Sequence, residues 1–200
     1  DEILIEEFIQ GKQYSLETIT KNGNHYLVGI TEEYISGPPF FLERCHFTGP
    51  TVWDSYYSKF NNYIIRLLEH FDIKVGPSHI EILLHNGNIY LIEIASRSGG
   101  WRDKLLKYAE GSDLNNLILQ SYTLDEIETK LIKKPKYNSM VGIKIKSSDQ
   151  RIEDQAQNDQ VLVEIYNNGS IINNEPTNLL DAVGYFYLAS SKPLINYKLS

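Results

Sequence analysis

The sequence predicts an α+β fold, in which antiparallel strands build a sheet and helices occupy separate stretches of the chain. Two observations predict it. Short β-rich runs are separated by turn signals, of which residues 22–24 and 86–88 (both Asn-Gly-Asn) are the strongest. Over residues 55–71, by contrast, apolar residues recur every three to four positions, which is typical of a helix.

The individual elements follow in chain order. Strands are predicted where β-branched, aromatic and aliphatic residues cluster, and helices where the apolar spacing is three to four. Asp113 is placed as the N-cap of the last helix, because its short carboxylate can accept a free backbone N–H. The predicted strands are 3–9, 14–20, 25–30, 40–47, 80–84, 89–94, 141–145, 161–166 and 185–189, the predicted helices are 55–71, 104–109 and 114–122, and a turn is predicted at 167–169.

Composition and charge exclude several classes of protein. The 200 residues are 42% hydrophobic and 22% charged, which favours a packed core over disorder. The net charge of −7 and the scattered basic residues argue against nucleic-acid binding, which needs clustered Lys and Arg. A single cysteine, Cys45, excludes an intramolecular disulfide. No apolar run approaches the roughly 20 residues of a membrane span, so we expect a soluble, cytoplasmic protein that binds neither nucleic acid nor membrane.

Two features bear on the organisation of the chain. The sequence opens without Met and runs almost at once into apolar residues, so we expect a segment of a longer protein. A lysine-rich stretch that contains a proline indicates a solvated linker and a boundary at residues 133–138. The expected units are therefore a domain over residues 1–133 and a small C-terminal lobe over residues 138–200.

The most informative stretch is the predicted hairpin over residues 79–97, which carries two glutamates. Side chains alternate between the two faces of a strand. The odd positions include Glu81 and Glu93, near the end of the hairpin away from its turn. The even positions are all apolar and predict a single core face: Ile80, Ile82, Leu84, Tyr90, Ile92 and Ile94.

Whether the two carboxylates share a face depends on the loop between the strands. A two-residue Asn86-Gly87 loop places Glu81 opposite Ile92, whereas an odd loop over residues 86–88 places it opposite Glu93. Only the odd loop also collects every apolar even position on one side. We therefore predict the odd loop and a direct pairing of the two glutamates.

A pair of opposed carboxylates suggests a cation between them, since their repulsion otherwise costs up to about 1 kcal/mol. Mg²⁺ bound to nucleotide phosphates is such a cation. Two solvated glutamates, or a simple pairing of Glu93 with Arg97, explain the same pattern equally well. Arg97 also precedes Gly99 and Gly100, which suits anion binding, because Arg donates two N–H groups and glycine lets backbone N–H groups approach closely. The alternative is a plain turn with a surface arginine.

Taken together, three segments resemble the second half of the ATP-grasp superfamily. They are "ILIEEFIQGKQYSLE", "GPSHIEILLHNGNIYLIEIASRSGG" and "DKLLKYAEGSDLNNLIL", and they cover roughly residues 1–123. The chain is most similar to carboxylate–amine ligases such as L-amino-acid ligases, and next to biotin carboxylase and carbamoyl-phosphate synthetase. The resemblance implies the C-terminal subdomain of that fold, an antiparallel sheet with helices packed on one face, followed by a small β-rich lobe.

The resemblance also implies a nucleotide site at the start of the chain. The segment "EEFI", which begins with Glu6, matches the hinge between the two ATP-grasp subdomains, where the Glu7 carbonyl and the Ile9 amide would read the adenine edge. Gln13 stands where the family usually has a glutamate that grips the ribose hydroxyls. A carboxamide can also bond to hydroxyls, so the resemblance still implies ATP binding.

For the remaining site residues, the resemblance implies the chemistry of phosphate transfer. Glu81 and Glu93 match the ligands of Mg²⁺ (or Mn²⁺), Arg97 matches the arginine that steadies the acceptor carboxylate or acyl phosphate, and Gly99 and Gly100 match its flanking loop. The implied reaction is ATP-dependent: a substrate carboxylate attacks the γ-phosphate, and an amine acceptor then displaces phosphate from the acyl phosphate. A bicarbonate-phosphorylating enzyme and a non-catalytic binding domain are the alternatives.

Several residues depart from the family pattern or leave two roles open. Ala95 stands where many members carry an Asn that binds metal. The N-terminal ATP-grasp subdomain with its lid lysines does not occur in these residues, so we expect the isolated chain to be inactive. Glu43 and His46 resemble a substrate-side segment, or are structural. His79 is predicted to be a hydrogen-bonded neighbour of Glu81, and Glu17 to face either the nucleotide or solvent.

Overall fold

The structure is a computed structural model, which describes residues 3, 5–146, 148–167 and 181–199. Its strands are β1 (Lys12–Lys21), β2 (Asn24–Ile35), β3 (Glu43–Thr48), β4 (Val75–His85), β5 (Asn88–Ala95), β6 (Asn138–Lys144), β7 (Leu162–Asn167) and β8 (Gly184–Ser190). Its helices are α1 (Pro50–His70), α2 (Arg102–Tyr108), α3 (Leu114–Thr123) and α4 (Asp149–Asn158).

The described strands form one antiparallel sheet in the order β5-β4-β1-β2-β3-β6-β8-β7. This confirms the predicted α+β class. The sheet crosses the predicted boundary at residues 133–138 without interruption, because β3 pairs with β6. The division into two domains stays a prediction. Asn168 and Gly169 of the predicted turn lie outside the described residues.

The helices cover both faces of the sheet, whereas the prediction placed them on one. Leu27 and Val28 are neighbours on β2 and therefore point to opposite faces. Leu27 packs with Phe60 of α1, and Val28 packs with Leu106 of α2 and Leu117 of α3. The prediction was wrong on this point because a strand buried on both faces shows no simple alternation of apolar and polar residues.

Helix α1 begins at Pro50, five residues before the predicted start. Proline is favoured in the first turn because it has no N–H to leave unpaired and its φ angle already suits a helix. The helix buries one stripe of side chains against the sheet, formed by Val52, Trp53, Phe60, Ile64 and Leu68. The predicted cap of α3 is confirmed: the Asp113 carboxylate accepts a hydrogen bond from the Asn116 N–H at 3.2 Å.

The predicted strand over residues 3–9 does not form in the described residues of that segment, which have no regular secondary structure. Ile3, Ile5 and Phe8 are exposed by 84%, 89% and 74%. A strand needs a partner edge, and both edges of the adjacent β1 are occupied, by β2 and β4. The apolar pattern at the start of the chain therefore belongs to a surface segment. Within the described residues, no helix has both the length and the apolar character needed to span a membrane.

Candidate functional site

The two glutamates lie on the hairpin formed by β4 and β5, which has a two-residue turn. His85 pairs with Asn88, so that Asn86 and Gly87 alone form the loop. Both have positive φ angles, 48° and 80°, as the favoured two-residue hairpin turn requires. The predicted odd loop was therefore wrong.

The glutamates nevertheless stand directly opposite each other, because of a β-bulge. Glu81 pairs with Glu93 while Ile82 pairs with Leu91, which leaves Ile92 as the extra residue. The predicted pairing of the carboxylates is thus confirmed, although its cause lies inside β5 and not in the loop.

The bulge also changes which residues of β5 face the core. Ile89 and Ile94 pack against the core under α1, whereas Tyr90 and Ile92 are exposed by 37% and 47%. The predicted core face at even positions was therefore right for β4, where Ile80 and Ile82 are buried, and wrong for Tyr90 and Ile92.

The two carboxylates and the neighbouring arginine are accessible. The side chains of Glu81, Glu93 and Arg97 are exposed by 21%, 51% and 61%. Arg97 Nη2 lies 3.6 Å from Glu93 Oε1, so the simple pairing that the sequence left open does occur. Water screens a pair this exposed, and it contributes little to stability. Both side chains remain free to bind another partner.

Behind Glu81 lies a buried chain of polar contacts. His79 Nε2 donates to Glu81 Oε1 at 3.2 Å, as predicted, and His79 Nδ1 donates to Glu17 Oε1 at 2.5 Å. Glu17 is only 1% exposed, which excludes the solvated alternative. Burial lowers the pKa of His79, but the hydrogen bonds to Glu17 and Glu81 outweigh it and raise the pKa to about 9. His79 is therefore cationic at neutral pH.

Arg102 extends this chain to β2. Its Nη2 donates to Glu33 Oε1 at 2.5 Å, its Nε donates to Ser15 Oγ at 3.0 Å, and the same Nε lies 3.9 Å from Glu17 Oε1. Burial raises the pKa of Glu33, but the nearby imidazole of His46 and the Arg102 charge outweigh this effect and lower the pKa to about 2. Glu33 is therefore a carboxylate at any ordinary pH.

Gln13 closes these contacts into a ring. Its amide Nε2 donates to Glu33 Oε2 at 2.7 Å and lies 3.4 Å from Glu81 Oε2. The ring, which we call the polar ring, joins six side chains: Gln13, Glu81, His79, Glu17, Arg102 and Glu33. It covers one face of β4, β1 and β2, and the carboxylate of Glu81 is its accessible member.

The glycine loop that follows β5 is fixed to the polar ring. The Gly99 N–H donates to Glu17 Oε2 at 3.1 Å, and Arg102 Nη1 donates to the Gly100 carbonyl at 3.1 Å. Trp101 then adopts a left-handed φ of 61°, and α2 begins at Arg102. The structure therefore brings Glu81, Glu93 and the segment from Arg97 to Gly100 together at one end of the hairpin.

A family model described as an ATP-grasp domain matches residues 1–104, just over half of the chain. The chain belongs to the ATP-grasp family. No curated protein matches it in sequence at a significant level.

Solved structures agree with this fold. An L-amino acid ligase from Bacillus licheniformis superposes with a TM-score of 0.74 at 20% identity, covering 92% of this chain and 50% of that one. A phosphoribosylglycinamide synthetase from Anaerococcus prevotii gives 0.64 at 13% identity, with 93% and 50% covered. An N5-carboxyaminoimidazole synthase from Aspergillus clavatus, in complex with ADP and 5-aminoimidazole ribonucleotide, gives 0.63 at 14% identity, with 93% and 48% covered. The chain thus spans about half the length of these ATP-grasp structures.

The predicted nucleotide residues of this ATP-grasp chain lie along its first segment. Ile9 and Gln13 line a cavity of about 970 Å³ next to the polar ring. Glu33 and Phe41 line the same cavity. The side chains of Glu6 and Glu7 are exposed and do not line it. The hinge residues are therefore split between the cavity and the open surface.

The acidic residues fit a nucleotide-bound Mg²⁺ better than a metal held by protein alone. Within the described ranges, no group of three or more His, Cys, Asp or Glu side chains is arranged to hold a metal ion. Mg²⁺ in phosphate-transfer sites takes one or two carboxylates and draws its other ligands from phosphate and water. Glu81 and Glu93 supply that number, and Ala95, which pairs with His79 on the hairpin, supplies no further ligand.

Arg102 and Glu33 are not predicted as site residues from the sequence, and the predicted position of Glu17 was left open. Arg102 stands two residues after the glycine pair, and at 3% exposure it is a buried cation that requires carboxylate partners. Glu17 stands inside the predicted strand 14–20, where a buried charge is uncommon, whereas Glu33 lies beyond the predicted strand 25–30, which the structure extends to Ile35. These signals exist in the sequence, but they do not say which charges meet. His46, left open as structural or substrate-side, lies 3.6 Å from Glu33 and 3.2 Å from Glu43.

Proposed function

We propose that this chain is the part of an ATP-dependent carboxylate–amine ligase that binds the metal and the acyl-phosphate end of the active site. The observation that carries the proposal is the pair of accessible, directly opposed carboxylates Glu81 and Glu93 beside the loop of Arg97, Gly99 and Gly100. Membership of the ATP-grasp family supports the use of ATP. An N-terminal ATP-grasp subdomain would complete the site.

ATP would bind along the cavity lined by Ile9 and Gln13. Support for this comes from a structure of similar fold that is a complex with ADP. The Glu7 carbonyl and the Ile9 amide would contact adenine, Glu6 would belong to the same hinge, and the Gln13 carboxamide would bond to the ribose. The polar ring places Gln13 and Glu81 in contact, which would link the nucleoside end of the site to its phosphate end.

Glu81 and Glu93 would hold Mg²⁺ (or Mn²⁺) together with the phosphates. The bound metal would neutralise phosphate charge and so favour attack on the γ-phosphate. The contacts of Glu81 to His79 and Gln13 fix the orientation of its carboxylate, whereas the more exposed Glu93 can adjust its position.

Arg97 would bind the substrate carboxylate. Its guanidinium is 61% exposed, and its ion pair with Glu93 is long enough to exchange for a new partner. In the proposed reaction the substrate carboxylate oxygen bonds to the γ-phosphorus as ADP leaves. The amine nitrogen then bonds to the acyl carbon, phosphate leaves, and the amine proton passes to solvent. Two N–H groups of Arg97 would stabilise the negative charge through both steps.

The test uses the full-length protein with ATP, Mg²⁺ and a panel of carboxylic acids, with hydroxylamine as a general amine acceptor. We expect at least one acid to give ADP and a hydroxamate in equal amounts. Glu93→Gln should lower this rate by about 100-fold or more, since the charge stabilisation by the metal amounts to several kcal/mol. Glu126→Gln, at an exposed glutamate elsewhere, is the matched control and should be unaffected. Full activity in Glu93→Gln would refute the metal assignment.

A further inference from the structure

The hairpin and the glycine loop both form hydrogen bonds to the Glu17 carboxylate. Its two carboxylate oxygens have different partners: Oε1 accepts from His79 Nδ1 at 2.5 Å and Oε2 accepts from the Gly99 N–H at 3.1 Å. His79 in turn donates to Glu81. A shift of Glu17 therefore moves the contacts of both the proposed metal ligand and the proposed anion loop.

Gly99 is packed directly on this contact. A Cβ at position 99 would lie 2.5 Å from His79 Nδ1 and 2.7 Å from Glu17 Oε1. Both distances are shorter than any real Cβ contact, so every residue other than glycine would displace the pair of Glu17 and His79. Glycine is required at position 99 because the loop packs closely against the buried side chains of Glu17 on β1 and His79 on β4.

The burial of Glu17 needs an explanation beyond stability. A carboxylate buried to 1% exposure has a large desolvation cost, which its partners His79 and Arg102 offset. Apolar side chains of similar volume often replace a whole buried ion pair without loss of stability. What they cannot replace is the pair of directional acceptor atoms that holds His79 and Gly99 in one geometry.

We propose that Glu17 is a positioning residue for the active site, which holds the Glu81 carboxylate and the Gly99–Gly100 backbone in register with each other. The proposal rests on the proposed function, since it gives a role to the geometry of Glu81 and the loop. Groups that orient metal ligands from behind typically contribute 10-fold to 100-fold in metal affinity or activity.

The decisive variant is Glu17→Met in the full-length protein, because Met keeps the approximate length of the side chain and removes both acceptor oxygens. We expect the Mg²⁺ concentration for half-maximal ATP consumption to rise by about 10-fold to 100-fold. In the protein without nucleotide or metal, hydrogen–deuterium exchange at the Gly99 amide should become faster. The matched control is Glu153→Met, the same change at a glutamate that is 5% exposed and paired with Lys144. It should change neither quantity.

Two further variants separate positioning from folding. Glu17→Gln keeps one acceptor oxygen for the Gly99 N–H and the same side-chain length, so it should recover part of the lost metal affinity. Gly99→Ala attacks the same contact from the loop and should raise the Mg²⁺ requirement even if Glu17→Met does not fold. The double variant Glu17→Met/Gly99→Ala should have an Mg²⁺ requirement no higher than that of the more affected single variant, because both changes disrupt the same contact.

The outcomes distinguish the two proposals. A wild-type protein that neither consumes ATP nor binds Mn²⁺–ATP refutes the proposed function, and the role of Glu17 falls with it. An active wild-type protein whose Glu17→Met variant keeps its Mg²⁺ requirement refutes the role of Glu17 alone. Faster Gly99 exchange without a changed Mg²⁺ requirement also refutes it, because the contact would then be only structural.

Discussion

Two buried groups of charges in this molecule have similar burial but different surroundings. Arg44 and Asp149 form a pair at 2.7 Å, both almost fully buried. The second oxygen of Asp149 accepts the backbone N–H groups of Ile145 and Lys146, each at 2.9 Å. Apart from Arg44, this carboxylate therefore contacts only the turn that precedes α4. The polar ring also contains a buried arginine, Arg102, but its contacts continue to the accessible side chain of Glu81.

Burial and charge alone therefore do not identify a functional site. The pair of Arg44 and Asp149 fixes a turn, and both oxygens of the Asp149 carboxylate are bonded within the protein. The polar ring leads from buried charges to two opposed carboxylates whose repulsion a bound cation would relieve. We expect substitutions in the first group to change stability, and substitutions at the open end of the second to change activity.

The largest expected effect is on stability, for Asp149→Ala. It leaves Arg44 buried without its carboxylate and removes the acceptor of two backbone N–H groups, which should lower the free energy of unfolding by about 3–5 kcal/mol. Urea denaturation of the full-length protein measures it, with Asp154→Ala on the exposed side of the same helix as the control. ATP consumption per folded molecule should be unchanged. A loss below about 1 kcal/mol would contradict the structural role.

The next effect is a pH dependence from Glu33. Its pKa of about 2 in the folded protein lies below its ordinary value of 4.5, so its contribution to stability is present above pH 4.5 and is lost as the pH falls toward 2. The full contribution is roughly 3 kcal/mol. Unfolding free energies measured between pH 6 and pH 3 should fall less steeply in Glu33→Gln than in Glu126→Gln. Equal slopes would show that Glu33 is not held as a carboxylate by Arg102 and His46.

A third effect separates activity from stability, at Arg97. Because its side chain is 61% exposed and makes one long ion pair, Arg97→Ala should change the free energy of unfolding by no more than about 0.5 kcal/mol. Loss of its two N–H donors should lower the rate of acyl-phosphate formation by about 100-fold, as for other groups that stabilise developing negative charge. Arg151→Ala, at an exposed arginine on α4, is the control. A normal rate in Arg97→Ala would mean that another group binds the substrate carboxylate.

The sequence predicts the parts of the molecule that depend on local pattern. The Asn-Gly turns, the long apolar stripe of α1 and the cap at Asp113 each follow from a few neighbouring residues, and all three form. The failures depend on partners far along the chain. The segment over residues 3–9 finds no free edge on the neighbouring β1, and Arg102 meets Glu33, which lies 69 residues away. Such contacts need the order of strands in the sheet, which no local pattern contains.

The smallest expected effect tests the bulge, where the predicted pairing of the glutamates was right but its predicted cause was wrong. If Ile92 belonged to the core face with Ile94, Ile92→Thr would remove buried apolar surface and cost about 1–2 kcal/mol. Because Ile92 is the extra residue of the bulge and is 47% exposed, we expect a change within about 0.5 kcal/mol, measured by urea denaturation. Ile82→Thr, on β4 at a fully buried position, is the control that should be costly. A large cost at Ile92 would restore the odd loop and would remove the bulge as the cause of the pairing between Glu81 and Glu93.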